Sequence, residues 1–482
     1  MNSSELAYKI FSNAFDPLVW RTLDGQYQPG LATHWSVSSD GCVYTFHLRS
    51  GVCFHDGTPL DAAAVKASFD RVVAPETASQ AARDMLGPFE ECVTRDDSTV
   101  EVRLAEPYAP LLDAVSQAWL APASPAAVAE RGSEHLRRPV GTGPYIVEAW
   151  PSGGDLVLTA NPSYAWAPEF AGRNGPPRTA RVEFSFLPEP DRRLAALEQG
   201  AIDAFYELAP NQIRAAQQLP GHVVDLVPVP GAPVSLMLNT QRSPTDDLRV
   251  RTALAHALNV PEIIQRVFDG LFPVATAPLS ATTSGYEPSV AGQFPHNPAL
   301  AGALLDESGW RVGPDGWREK AGDRLVLPYF AIPHAHYPEI GQETARQLAP
   351  LGIQVTVDVV SITEWLAAGN TRRHCLIPVG KFTSEPDVLE VLFHSRHNGN
   401  GYAWSWSQDS TLDDWLATAV RSQNPEQRSE LFSAIQHRII SNVLSIPLHE
   451  NTNASVRRAS LHGLTYDLRG YPVLYSAYRE VP

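Results

Sequence analysis

Short runs of alternating apolar and polar residues recur along this chain, separated by stretches with helical spacing. In 42–49 (CVYTFHLR), Val43, Thr45 and His47 alternate with Tyr44, Phe46 and Leu48, which predicts a half-buried strand. The dipeptides Asp40-Gly41 and Ser50-Gly51 bracket it as turns. Val52–Phe54 predicts a short return strand. Thr58-Pro59 and Asp61 then prepare a helix with Val65, Phe69 and Val72 on one side and Lys66, Asp70 and Arg71 on the other. Further strands are expected from Thr99, over 145–150 with a hairpin partner from 156, from Arg181, and up to Thr240. Residues 190–208 predict a helix capped by Gly200 and then a short strand. Residues 245–268 open with acidic groups and read as one long amphipathic helix. Beyond it, helices at 297–310 and 338–352 alternate with strands at 325–330 and 353–360. A helix pair follows at 411–443 and a strand pair at 445–458. This β-α-β order indicates an α/β class.

The chain has 482 residues, enough for about three domains or lobes at ~150 residues each. Its 41 prolines imply many fixed turns. The formal net charge of −16 argues against a nucleic-acid partner, which needs clustered Lys and Arg; it suits a solvated acidic surface or cationic ligands. Cys42, Cys53, Cys92 and Cys375 form no CxxC pair and match no zinc spacing. One disulfide among the first three and a fully reduced set both stay open. No run of 18 apolar residues is present, and the first 20 residues lack the basic-then-apolar order of an export signal. No GxSxG, HExxH, P-loop or post-strand GxGxxG occurs, so nothing in the sequence indicates an enzyme or a bound cofactor.

The block from Leu31 to Val73 resembles the signature of the extracytoplasmic solute-binding proteins of peptide-type ABC importers, the family 5 group with dipeptide-, oligopeptide- and nickel-binding members. Leu31-Ala32, Trp35, Asp40-Gly41, 44–46, Leu48-Arg49, Val52, 54–59 and Ser68-Phe69 carry the match. Further matches follow in order: PVGTGPY at 139–145, NPSY at 161–164, PDRRLAALEQGAIDA at 190–204, LRVRTALAHALN at 248–259, NPALAGALLDESGW at 297–310 and LGIQVTVDVV at 351–360. The resemblance implies a two-lobed periplasmic-binding-protein fold that closes on its ligand. Lobe I would comprise 1–239, with an inserted subdomain at roughly 35–165, and the return segment 447–482; lobe II would be 240–446. It also implies a monomer, held outside the cytoplasm or anchored to its membrane, that captures a small solute and delivers it to an ABC permease. Peptide is the default ligand; metal chelates, opines and sugars are alternatives, and a cytoplasmic sensor or enzyme is a remote one. Relative to the family, the given sequence starts about where the first helix would begin, so an export signal and a first strand are expected to be missing from it.

The same resemblance places ligand contacts at a few matched segments. Ser12 and Asn13 lie at the end of the N-terminal helix. Trp119 sits where nickel-binding relatives offer an arginine nearby; this chain has Gln117 and no arginine there. Ser235 and Met237 lie on the strand before the first crossover, with Asn239 as a structural hinge residue. Phe382, Thr383, Ser384 and Glu385 follow, with Asp387 read as a helix cap. Tyr402, Trp404 and Trp406 alternate, and Trp404 is expected to face the ligand. His449 and Asn451 lie near the second crossover. His394 and His397 are a weak candidate metal pair. His55 and Asp56 are expected to hold a turn rather than form a catalytic dyad.

Overall fold

The structure, a computed structural model, describes residues 5–77 and 80–480. The chain divides into two compact units. Unit 1 takes Met1–Val227, Arg421–Gln423 and Asn453–Pro482; unit 2 takes Pro228–Val420 and Asn424–Thr452.

Unit 1 contains a four-stranded antiparallel sheet in the order Ala32–Val37, Val43–Leu48, Thr99–Leu104, Phe89–Asp96. Along Val43–Leu48 the alternate residues Tyr44, Phe46 and Leu48 point into the core, as the pattern predicts. The helix Ala62–Val73 packs on this sheet through Val65 and Phe69. Asp61 caps it by accepting the Ala64 N–H at 2.8 Å. The expected strand 52–54 is reduced to an isolated bridge between Cys53 and Pro59. A meander of Tyr145–Ala149, Leu156–Ala160 and Arg181–Phe184 follows. The C-terminal part returns as the strand Thr452–Arg458, which lies between Ala204–Tyr206 and His222–Pro228. Helix Pro190–Gln199 ends at Gly200, whose φ of 79° is left-handed backbone that glycine adopts without strain.

Unit 2 is built on a five-stranded mixed sheet in the order Gln354–Val359, Val326–Ala331, Leu376–Phe382, Gly231–Leu238, Ser445–His449. The first three strands run parallel through helical crossovers; the last two joins are antiparallel. Every residue of Gly231–Leu238 is buried, which matches its mostly apolar sequence, interrupted by Ser235, and its place inside the sheet. The single helix expected over 245–268 is two helices, Leu248–Ala257 and Val260–Phe268. Pro261 has no N–H to continue the ladder, and Asn259 restarts it by accepting the Glu262 N–H at 3.2 Å.

All four cysteines are free thiols. No described helix is long and apolar enough to cross a membrane.

Candidate functional site

In unit 1 the N-terminal helix Glu5–Ala14 places Tyr8, Lys9, Ser12 and Asn13 in the apolar cluster that also holds Trp119 and Tyr471 or beside it. Asn13 is spent structurally. Its Nδ2 donates to the carbonyls of Lys9 (3.2 Å) and Pro472 (3.1 Å), and its Oδ1 accepts the Leu474 N–H at 2.8 Å. Ser12 donates back to the Lys9 carbonyl at 3.2 Å. Trp119 faces Tyr8 at 5.5 Å between ring centres, and Tyr8 faces Tyr471 at 5.9 Å. Trp119 also lines an apolar groove bordered by helices Ala62–Val73 and Pro125–Arg131.

Cations thread this aromatic group. Lys9 Nζ lies 4.8 Å from the Tyr206 ring centre and 4.7 Å from that of Tyr471, and it pairs with Glu207. Arg469 stacks its guanidinium on Tyr8 at 4.8 Å and donates through Nη2 to Gln117 Oε1 at 2.6 Å. Gln117 Nε2 donates in turn to Asp113 Oδ2 (2.9 Å), and Arg21 holds Asp113 Oδ1 at 2.6 Å. Asp467, two residues before Arg469, accepts the backbone N–H groups of Arg469 (2.9 Å) and Tyr471 (2.8 Å). Burial raises its carboxyl to about 6. Burial, with the Asp467 charge, likewise raises the Tyr8 hydroxyl. Sequence reasoning missed Arg469. It sits 352 positions from Gln117, and no local periodicity marks it.

The neighbouring His55 and Asp56 are scaffold, as expected. His55 Nε2 bonds the Gly143 carbonyl at 2.9 Å, and burial lowers its pKa to about 4. Asp56 accepts from Thr58 N (3.0 Å) and Thr58 Oγ1 (2.6 Å), and from the hydroxyl of Ser124. Ser124 also caps helix Pro125–Arg131, so the HDGT turn is tied to a helix start.

In unit 2, the end of strand Leu376–Phe382 presents Lys381 over the Tyr402 ring at 5.3 Å, and Phe382 is 39% exposed. Thr383 Oγ1 accepts the Glu385 N–H at 3.3 Å, and Ser384 lies between them. Glu385 is buried and pairs with Arg428 at 3.0 Å. Ser235 is buried and donates to the Pro233 carbonyl (3.1 Å); Met237 is core. Asn451 is buried, and its Nδ2 donates to the Ala232 carbonyl at 2.9 Å. His449 is enclosed by Phe268 and Phe272 at 4.6 and 5.7 Å, with Nδ1 on the Glu450 carbonyl at 3.0 Å. Burial lowers its pKa to about 4. Asn239 is buried, donates to the His374 carbonyl at 3.0 Å and accepts the Gln241 N–H at 2.9 Å. Asp387 stands at the N-cap of helix Val388–Phe393 without a side-chain capping bond.

The alternation argument at 402–406 fails because this segment is turn, not strand, and Trp406 has a φ of 52°. Trp404, expected to face the ligand, is fully enclosed in the unit 2 core. It sits edge-on to Trp365 at 4.5 Å, with Nε1 donating to Asn370 Oδ1 at 3.0 Å. The histidine pair is held by carboxylates: His397 Nε2 lies 3.0 Å from Glu390 Oε1 and His394 Nδ1 lies 3.4 Å from Asp413 Oδ1. Among the described residues no group of three or more His, Cys, Asp or Glu is arranged to hold a metal ion.

The family model for bacterial extracellular solute-binding proteins, family 5, matches residues 26–403. The glutathione-binding protein GsiB of Escherichia coli O1:K1 is 28% identical over 447 residues, covering 90% of this chain and 82% of that protein. Among solved structures, NikA from Brucella suis in complex with Fe(III)-EDTA has a TM-score of 0.88 at 24% identity and covers 100% of this chain and 96% of that one. The oligopeptide-binding protein AppA from Bacillus subtilis, in complex with a nonapeptide, has a TM-score of 0.78 at 20% identity, covering 100% and 95%. The α/β fold is therefore that of the periplasmic binding proteins, and this chain belongs to the bacterial extracellular solute-binding proteins, family 5.

Proposed function

We propose that this protein captures a peptide-like small solute outside the cytoplasm, as a monomer, and hands it to an ABC import permease without performing chemistry on it. Units 1 and 2 correspond, in this reading, to the two lobes that the family resemblance implies. The observation that carries it is the unit 1 cluster of Tyr8, Trp119 and Tyr471 threaded by Lys9 and Arg469. Cations held in place by buried aromatic rings suit a compact solute with charged ends. In unit 2 the proposed contacts are Phe382 and Thr383, at the end of strand Leu376–Phe382, and Tyr402, whose ring lies against Lys381 of that strand. Family membership and the glutathione-binding relative favour a short peptide over a sugar.

Native mass spectrometry of the purified protein, followed by release and identification of any bound species, tests the reading. Thermal unfolding with di- and tripeptides, glutathione among them, complements it. A one-to-one peptide-like adduct, or stabilisation by one such compound, is expected. Saturation at 100 times Kd should add about 2.7 kcal/mol. A protein that carries nothing and is stabilised by no member of the panel contradicts the proposal.

A further inference from the structure

Arg469 differs from the other cations of the unit 1 cluster. Lys9 is neutralised by Glu207 and Arg21 by Asp113. Among the described residues Arg469 has no carboxylate at ion-pair distance; its side chain bonds only the neutral Gln117 amide and stacks on Tyr8. Nε and Nη1 have no partner among the described residues and reach solvent. The side chain is nevertheless half-buried and oriented. Arg21 fixes Asp113, Asp113 fixes Gln117, and Gln117 fixes one edge of the guanidinium. The nearest acidic residue in sequence, Asp467, turns one oxygen to the N–H groups of Arg469 and Tyr471. Gln117 takes one Nη2 hydrogen, and the second Nη2 hydrogen still forms a two-pronged edge with Nε–H or with Nη1. An oriented, half-desolvated guanidinium with one such edge open is a receptor for a planar anion such as a carboxylate.

We infer that Arg469 is a specificity-determining residue that binds a carboxylate of the solute, its guanidinium backed by the buried Tyr8 ring. The inference rests on the solute-binding reading above and narrows it to carboxylate-bearing ligands. Gln117 and Asp113 act as positioning residues.

The test measures affinities by calorimetry for glutathione, trialanine, succinate and citrate, each beside its esterified or C-terminally amidated counterpart. The proteins compared are wild type, Arg469→Gln and Arg469→Lys. At least one free carboxylate should bind the wild type tenfold or more tightly than its blocked counterpart. Arg469→Gln should remove that advantage and leave the blocked compound unaffected; Arg469→Lys should keep part of it. The Lys variant serves as the readout if the Gln variant unfolds. Equal binding of free and blocked forms, or unchanged discrimination in both variants, overturns the inference and leaves solute binding standing. Binding of none of the compounds by the wild type overturns both.

Discussion

Asp16 illustrates how much one buried side chain can do. It accepts from Thr142 Oγ1 (3.0 Å), Tyr164 Oη (3.0 Å) and Trp166 Nε1 (2.9 Å) and so ties the end of the first helix to residues more than 120 positions away. Burial outweighs these three bonds and raises its carboxyl from 3.8 to about 6. Between those two values the folded state holds the proton more firmly than the unfolded chain. This group therefore stabilises most below pH about 4 and loses that contribution as the pH rises to about 6, an effect of roughly 3 kcal/mol. Asp16→Asn removes the titration. In urea unfolding at pH 4.5, 5.5 and 6.5, the variant should gain stability relative to wild type as the pH rises. A difference that stays flat across that range would show that Asp16 does not titrate there. In the sequence Asp16-Pro17 reads only as a turn, because the three donors that define its role are remote.

Where elements meet, the deciding contacts are equally local in space and distant in sequence. Helix Ile362–Asn370 approaches the Trp404 indole so closely at Gly369 that a Cβ there would collide with the ring. The ring cannot retreat easily, since Trp365 lies edge-on to it and Asn370 holds its N–H. Gly369→Ala would gain up to about 1 kcal/mol in helix propensity. Overpacking against a fixed indole costs about 1–3 kcal/mol and should win. We expect a lower urea midpoint and an altered near-ultraviolet tryptophan signal; an unchanged or raised midpoint would refute the packing argument. The element types of this region were readable from periodicity. The break at Asn259 was obscured because the apolar stripe runs on through Pro261, and Trp404 was misdirected because a turn was read with the period of a strand.

For the molecule as a whole, chain order and folding unit do not coincide. The last segment completes unit 1: Thr452–Arg458 is the middle strand of three, and residues beyond it bind the N-terminal part. Tyr145 Oη donates to the Leu474 carbonyl (3.3 Å), Thr179 Oγ1 to the Ala477 carbonyl (2.6 Å), and Arg457 pairs with Asp225 at 3.0 Å. A chain ending at Thr452 would leave two strands without a common partner and buried groups unpaired. It should retain a cooperative unit 2 transition, whereas residues 5–227 become sensitive to limited proteolysis. Protection of 5–227 in that truncated chain would contradict this dependence.

Family, α/β class and most strands and helices were accessible without coordinates, because periods of two and 3.6 and turn dipeptides are properties of neighbouring residues. The turn-holding role of Asp56 was legible for the same reason, since Thr58 bonds it within the HDGT turn, whereas His55 bonds the Gly143 carbonyl 88 positions away. The candidate site was legible only in part. Trp119 was singled out, but its partners Tyr8, Tyr471 and Arg469 were not, and Asn13, though singled out, spends its amide on the backbone of the C-terminal segment. Which cation stays open, which carboxyl is buried and which indole is walled in depend on groups hundreds of positions apart coming within a few ångströms. Those are the distances at which desolvation and charge act, and folding alone sets them.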